Sequence, residues 1–233
     1  MQALDSFVAE MRGIFGDRLQ SIVVYQAVAP AIASPRIADP VHTLTLVDRV
    51  TFEDLAACAA RSAEWEKQEF ATPLVMSKHE FVRSLDAFPL EYGHIIASHR
   101  IIVGPDPFEG LSVSREDVRR ACEVQAKSHL IHLREAYIEA RGRPIPVARL
   151  IVASVAPFRA LLASVARLRG NSSDDIESLV REAEAMGLPS TIVRQILGLN
   201  AAGDLASGEA GRLFAAYLKA VEQLAGHVDQ WKR

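Results

Sequence analysis

The residues best suited to chemistry in this 233-residue chain are two histidines and a run of arginines, all in its second half. His129 and His132 stand three apart, with Glu135 and Glu139 on adjoining positions of the same side if the segment is helical. Imidazole and carboxylate at that spacing can hold a transition metal such as zinc. The same residues also make an ordinary polar helix face tied by i,i+3 and i,i+4 pairs. That second reading is favoured, because no cysteine or further histidine lies close in sequence. Residues 140–173 carry no acid but include Arg141, Arg143, Arg149, Arg159, Arg167 and Arg169, a stretch able to follow a phosphate backbone. On a helical wheel, however, Arg149 and Arg167 fall opposite Ile151, Val155, Phe158, Leu162 and Val165, the solvated back of a core helix. No aromatic residues interleave to stack bases. Nucleic acid is not an expected partner, and docking against the acidic N-terminal half of the chain is the other use of these arginines.

Other familiar chemistries leave no trace. GxSxG, GxxxxGK[ST] and GxGxxG are all absent, which removes the nucleophile elbow, the phosphate loop and the dinucleotide fingerprint. Cys58 and Cys122 show no metal-type spacing and suit buried thiols in a reducing cytoplasm. Hydrophobic residues at 49% and charged residues at 24% are globular values. No apolar run is expected to span a bilayer, and Asp5 and Glu10 within an amphipathic opening segment argue against a signal peptide. A soluble, cytoplasmic protein is therefore expected, with no membrane partner. The net charge of −3 is unevenly spread: residues 1–113 hold 9 Lys/Arg and 15 Asp/Glu, residues 114–233 hold 17 and 14. An acidic first half is a poor host for a triphosphate unless divalent metal offsets it.

The elements that must position any site follow from periodicity. Leu4, Phe7, Val8, Met11 and Phe15 predict a helix stopped by Gly16. Ser21–Tyr25 and the alternating Val41–Val47 predict strands, separated by a loop over 27–40 carrying Pro30, Pro35 and Pro40. Thr51, with Asp54 three residues on, predicts a capped helix running through Trp65. Pro73–Met76, Glu91–Ile96 and Arg100–Val103 are further expected strands, Ser77–Leu85 a short helix, and Gly104–Pro107 a turn. From Ser114 onward only helical periods remain, over 115–141, 145–169, 173–186, 189–198 and 208–231, with Pro157 expected to kink the second. Two domains are expected, 1–112 and 113–233.

That order of helix, strand, loop, strand, helix and strand, followed by Leu85-Asp-Ala-Phe-Pro-Leu-Glu-Tyr92 and Arg100-Ile-Ile-Val-Gly-Pro-Asp-Pro107, resembles the small nucleotidyltransferase domain of bacterial proteins. The likeness covers most of residues 4–111, and the remainder resembles the helical bundle such proteins often carry. It implies an α+β fold: an N-terminal nucleotidyltransferase-like mixed sheet with flanking helices, then an all-helical C-terminal bundle. In working members the first strand ends in Gly-Ser, which lets backbone and hydroxyl meet the phosphates. The next strand carries Asp-x-Asp, whose carboxylates share one face and hold two Mg²⁺ ions.

Here Tyr25-Gln26, or Gln26-Ala27, stands in place of Gly-Ser, and His42-Thr43-Leu44 in place of Asp-x-Asp. Neither His42 nor Leu44 offers the hard oxygen that Mg²⁺ takes. Glu91 matches only a third carboxylate. Asp39 and Asp48 flank the strand nine residues apart, too far to replace the pair. The resemblance thus implies a degenerate, non-catalytic domain whose vestigial cleft positions are Tyr25, Gln26, His42, Leu44 and Glu91. No metal or cofactor is expected, and a small molecule, a nucleotide or a protein is the expected partner. Two alternatives stand beside it: an active Mg-dependent transferase acting on a small-molecule or protein hydroxyl, and an interaction partner from a two-gene pair. Bundles of this kind are sometimes ribonucleases marked by Arg and a His five positions later. Val124, Lys127 and Glu222 occupy the position five before His129, His132 and His227, so that activity is not expected.

Overall fold

The computed structural model describes residues 2–25, 40–171, 173–199 and 205–231. They fall into two compact units that divide between Ser114 and Arg115.

In the first unit, α1 (Gln2–Phe15) buries Phe7, Met11 and Phe15, residues four apart that share one side of a helix. A 3₁₀ turn at Gly16–Arg18 leads into β1 (Leu19–Tyr25). β2 (His42–Val47) runs antiparallel to it, β3 (Leu74–Ser77) lies parallel to β2, and β4 (Arg100–Val103) lies antiparallel to the other edge of β1. The sheet order is therefore β3-β2-β1-β4, a small mixed sheet. Alternation along the central strands sends side chains into two separate cores. Ile22 and Val47 join Phe7, Met11, Phe15, Cys58, Trp65 and Phe70 on one face. Val23, Leu44 and Leu46 join Phe81, Tyr92, Ile95 and Phe108 on the other.

Two expectations need correction here. The helix expected from Thr51 to Trp65 is two helices, α2 (Phe52–Ala59) and α3 (Ser62–Lys67). Its start is as expected, since Thr51 and Asp54 form a reciprocal capping box. Glu91–Ile96 is not a strand: it lies inside α5 (Pro89–Ser98). The short apolar run reads as extended by itself, yet Pro89 at the first turn starts a helix, and Pro89, Tyr92 and Ile95 recur every three residues on its buried side. Gly93 is tolerated mid-helix because Val113 packs close, 3.3 Å from where a Cβ would stand. The expected short helix after β3 is α4 (Lys78–Arg83), opened by a capping box between Ser77 and Glu80.

The turn after β4 is fixed by backbone contact. Gly104 has φ +79°, and a Cβ there would stand 2.0 Å from the Gln20 carbonyl oxygen. Ser21 Oγ donates to the Pro105 carbonyl at 2.9 Å, and Asp106 Oδ1 accepts from the Phe108 amide at 2.9 Å.

The second unit is all helical: α6 (Arg115–Glu139), α7 (Pro144–Leu168), α8 (Ile176–Ala185), α9 (Ser190–Leu197) and α10 (Ser207–Gln230). α7 runs unbroken through Pro157 and is packed by α6, α8, α9 and α10. All seven residues from Ala160 to Ala166 are buried, so this stretch of the helix is covered on every side. By length and composition alone α7 meets the requirement for a membrane span, with mean hydropathy 1.7 over 18 residues, which corrects the expectation that no run approaches it. Of that window, 44% is buried within the protein. Arg167 is likewise not on a solvated back: it is half-buried beside Cys122, and burial lowers its basicity.

Candidate functional site

Of the five cleft positions, the structure brings three together. Tyr25 ends β1 and His42 begins β2, directly opposite in the antiparallel register. Their ring centroids are 5.7 Å apart with the planes inclined at 40°. Leu44, two residues along and on the same face, is opposite Val23 and fully buried. This is the face on which a strand-borne carboxylate pair would converge, and aromatic rings roof it. Phe81 of α4 stacks on Tyr92 of α5 at 4.6 Å and lies 4.9 Å from Phe108. Phe88 adds a half-exposed ring 5.5 Å from Tyr92.

The electrostatics match that apolar roof. Burial, and secondarily Tyr92, push the Tyr25 phenol above its ordinary range. Burial, then Glu91 and Glu80, do the same to Tyr92. A neutral phenol at neutral pH is the result, able to donate a hydrogen bond but not to bind a cation as phenolate.

Glu91 is exposed on α5 rather than aligned on a strand. Asp48 is also exposed and lies past the far end of β2, roughly 20 Å of strand from His42, where its charge falls beside Arg18. Gln26, Ala27 and Asp39 lie outside the described residues. Among the described residues no three His, Cys, Asp or Glu side chains are grouped so as to hold a metal ion. The His129–His132 patch is split in the same way. His129 Nε2 lies 2.8 Å from the Tyr217 hydroxyl inside the bundle, whereas His132 pairs with Glu135 on the surface.

The opposite sheet face carries a feature that periodicity alone did not single out. Thr43 and Thr45 are buried, and neither Oγ1 has a hydrogen-bond partner. The strict alternation that identified β2 also encodes these threonines as inward-facing. Their burial became legible only once α1, α2 and α3 were seen to cover that face.

The geometry defines an α+β chain with a four-stranded mixed sheet followed by a helical unit. No protein-family model matches the sequence, and no curated protein matches it. Among solved structures, it is similar to the spectinomycin adenyltransferase AAD(9) from Enterococcus faecialis, whose structure holds ATP and spectinomycin. The identity is 13% and the TM-score 0.44, over 95% of this chain and 98% of that one.

Proposed function

We propose that the first unit is a nucleotidyltransferase-like domain that has lost metal-dependent transfer and serves to bind a small ligand or to scaffold a partner. The observation that carries this reading is Leu44. At one of the two positions where the family resemblance puts a metal-binding aspartate, the chain has a fully buried aliphatic side chain within an aromatic-roofed core. A carboxylate there would be desolvated among Val23, Phe81 and Tyr92 and driven to its neutral form. His42, at the other position, offers imidazole instead of the hard oxygens magnesium takes.

What remains at the open end of β1 and β2 is chemistry for recognition. Tyr25 and His42 supply two half-buried rings, and the neutral phenol is a hydrogen-bond donor. Such a pair suits a planar heterocycle, such as a nucleobase, held by stacking and one or two hydrogen bonds. The two cysteines are free and buried, which fits a reducing, cytoplasmic setting.

Calorimetry and thermal shift with a panel of nucleoside triphosphates, with and without Mg²⁺, test the reading. Binding that does not depend on Mg²⁺, and that weakens at least tenfold in His42→Ala, is expected. Binding that strictly requires Mg²⁺ and is followed by nucleotide turnover would overturn it.

A further inference from the structure

The inner side of α6 carries Cys122, Ala126 and Leu133, all buried, with His129 between them. The His129 ring lies almost parallel to Phe158 of α7, centroids 6.1 Å apart and planes inclined at 15°. Its Nε2 is 2.8 Å from the hydroxyl of Tyr217 on α10. Phe158 and Tyr217 are themselves fully buried and meet edge-on at 5.1 Å. One imidazole therefore ties together the three long helices of the second unit.

The groups around that ring suit only its neutral form. α7 presents Phe158, with Ser154 bonded to Tyr217 beside it. α10 presents Tyr217, a phenol that burial holds protonated. On α6 itself the ionisable group acting on the ring is His132, a like charge when protonated. None of these groups is a carboxylate, so a proton taken up here leaves a buried charge without a counter-ion. Burial, and secondarily His132, accordingly lower the His129 pKa from 6.5 to about 4.

α6 is the long helix least able to absorb that cost. Three of its 25 residues are buried, against twelve in α7 and nine in α10. Its outer ties to α10, Lys127–Asp229 and Arg134–Glu222 at 2.7 Å, are exposed pairs of the kind that contribute little. Elements with few buried apolar contacts are the ones that open locally. In the first unit, by contrast, Arg18 and Thr51 hold the Asp54 carboxyl well below its usual range, so that clamp survives to lower pH. We propose that His129 is an acid-operated catch: on taking up a proton it releases α6 from α7 and α10 while the first unit stays folded.

Hydrogen exchange of the full chain between about pH 7 and about pH 4, corrected for the intrinsic pH dependence of exchange, reads this segment by segment. Peptides of α6 are expected to lose protection by roughly tenfold to a hundredfold, while peptides of β1 and β2 keep theirs. His129→Gln is expected to hold α6 protection level across the range. His129→Leu, which likewise cannot take a proton, gives the same reading should the glutamine variant fail to fold. His132→Gln, at an exposed position on the same helix, is expected to keep the wild-type profile. Protection of α6 that is equal at both ends of the range would overturn the proposal, and so would a loss that persists in the His129 variants. Loss in α6 and in β1 and β2 over the same pH interval would also overturn it, because acid would then be unfolding the whole chain.

Discussion

Tyr25 and His42 are register partners across β1 and β2, their ring centroids 5.7 Å apart, at the end of the sheet where β1 stops and β2 begins. Two residues further along the same face, Leu44 closes the position with aliphatic volume. Two half-buried rings at the rim and a sealed core beneath them belong to one pair of strands.

Leu44 supplies a sharp test of that arrangement. Leu44→Ala removes a fully buried side chain and is expected to cost about 2–5 kcal/mol. Leu44→Asp is expected to destabilise at least as much, because a carboxyl group there, even when neutral, is desolvated with no hydrogen-bond partner among apolar side chains. Chemical denaturation measures both. A Leu44→Asp variant with near-wild-type stability and Mg²⁺ affinity would contradict the packing described here.

Thr45 makes the opposite prediction. Its hydroxyl is buried and unpartnered, so replacing it with an apolar group of the same shape removes a desolvation cost. Thr45→Val is expected to stabilise the chain by about 1 kcal/mol, seen as a higher denaturant midpoint with unchanged slope. Destabilisation by that amount would show that the hydroxyl has a partner.

The bundle has its own pH signature. Burial lowers the His129 pKa from 6.5 to about 4. The unfolded chain therefore binds a proton more readily than the folded one between those values. Stability is fully present above about pH 6.5 and is lost as pH falls towards 4, by on the order of 3 kcal/mol. His129→Gln is expected to flatten that part of the stability profile while sparing the Tyr217 neighbourhood from an unfilled hole. A variant whose acid limb matches wild type would place the titration elsewhere.

At lower pH a different group takes over. Arg18 grips both Asp54 oxygens at 2.7 Å, and the Thr51 amide donates to Oδ2 at 2.9 Å, which keeps this carboxyl well below its usual range. Because the folded pKa is depressed, the stability it contributes is present above the ordinary carboxylate range and lost as pH falls through it. Thr51→Ala, which removes only the cap, is expected to cost about 1 kcal/mol at neutral pH.

The sequence made these strands legible and left their surroundings obscure for identifiable reasons. β2 was evident because Thr43, Leu44, Thr45 and Leu46 alternate. Which face would be sealed depended on Phe81, Tyr92 and Phe108, which come from three later segments. Glu91 falls on a helix rather than the expected strand because Tyr92-Gly93-His94-Ile95-Ile96 is too short to separate the two by period alone; Pro89 in the first turn and the burial of Tyr92 and Ile95 three residues apart mark the helix. Gly104 was recognisable as a turn, whereas its contact with Gln20, 84 residues earlier, belongs to tertiary structure. Gly104→Ala tests that contact and is expected to destabilise by more than 2 kcal/mol, since both the φ and the space exclude a methyl group.

Pyrophosphate release is the most direct readout of metal-dependent transfer. Purified full-length protein incubated with Mg²⁺ or Mn²⁺, each nucleoside triphosphate and a panel of hydroxyl-bearing acceptors is expected to release none above a heat-treated control. Metal-dependent release from the native protein, at a rate above that control and removed by chelation, would contradict the reading that Leu44 and His42 have replaced the metal site.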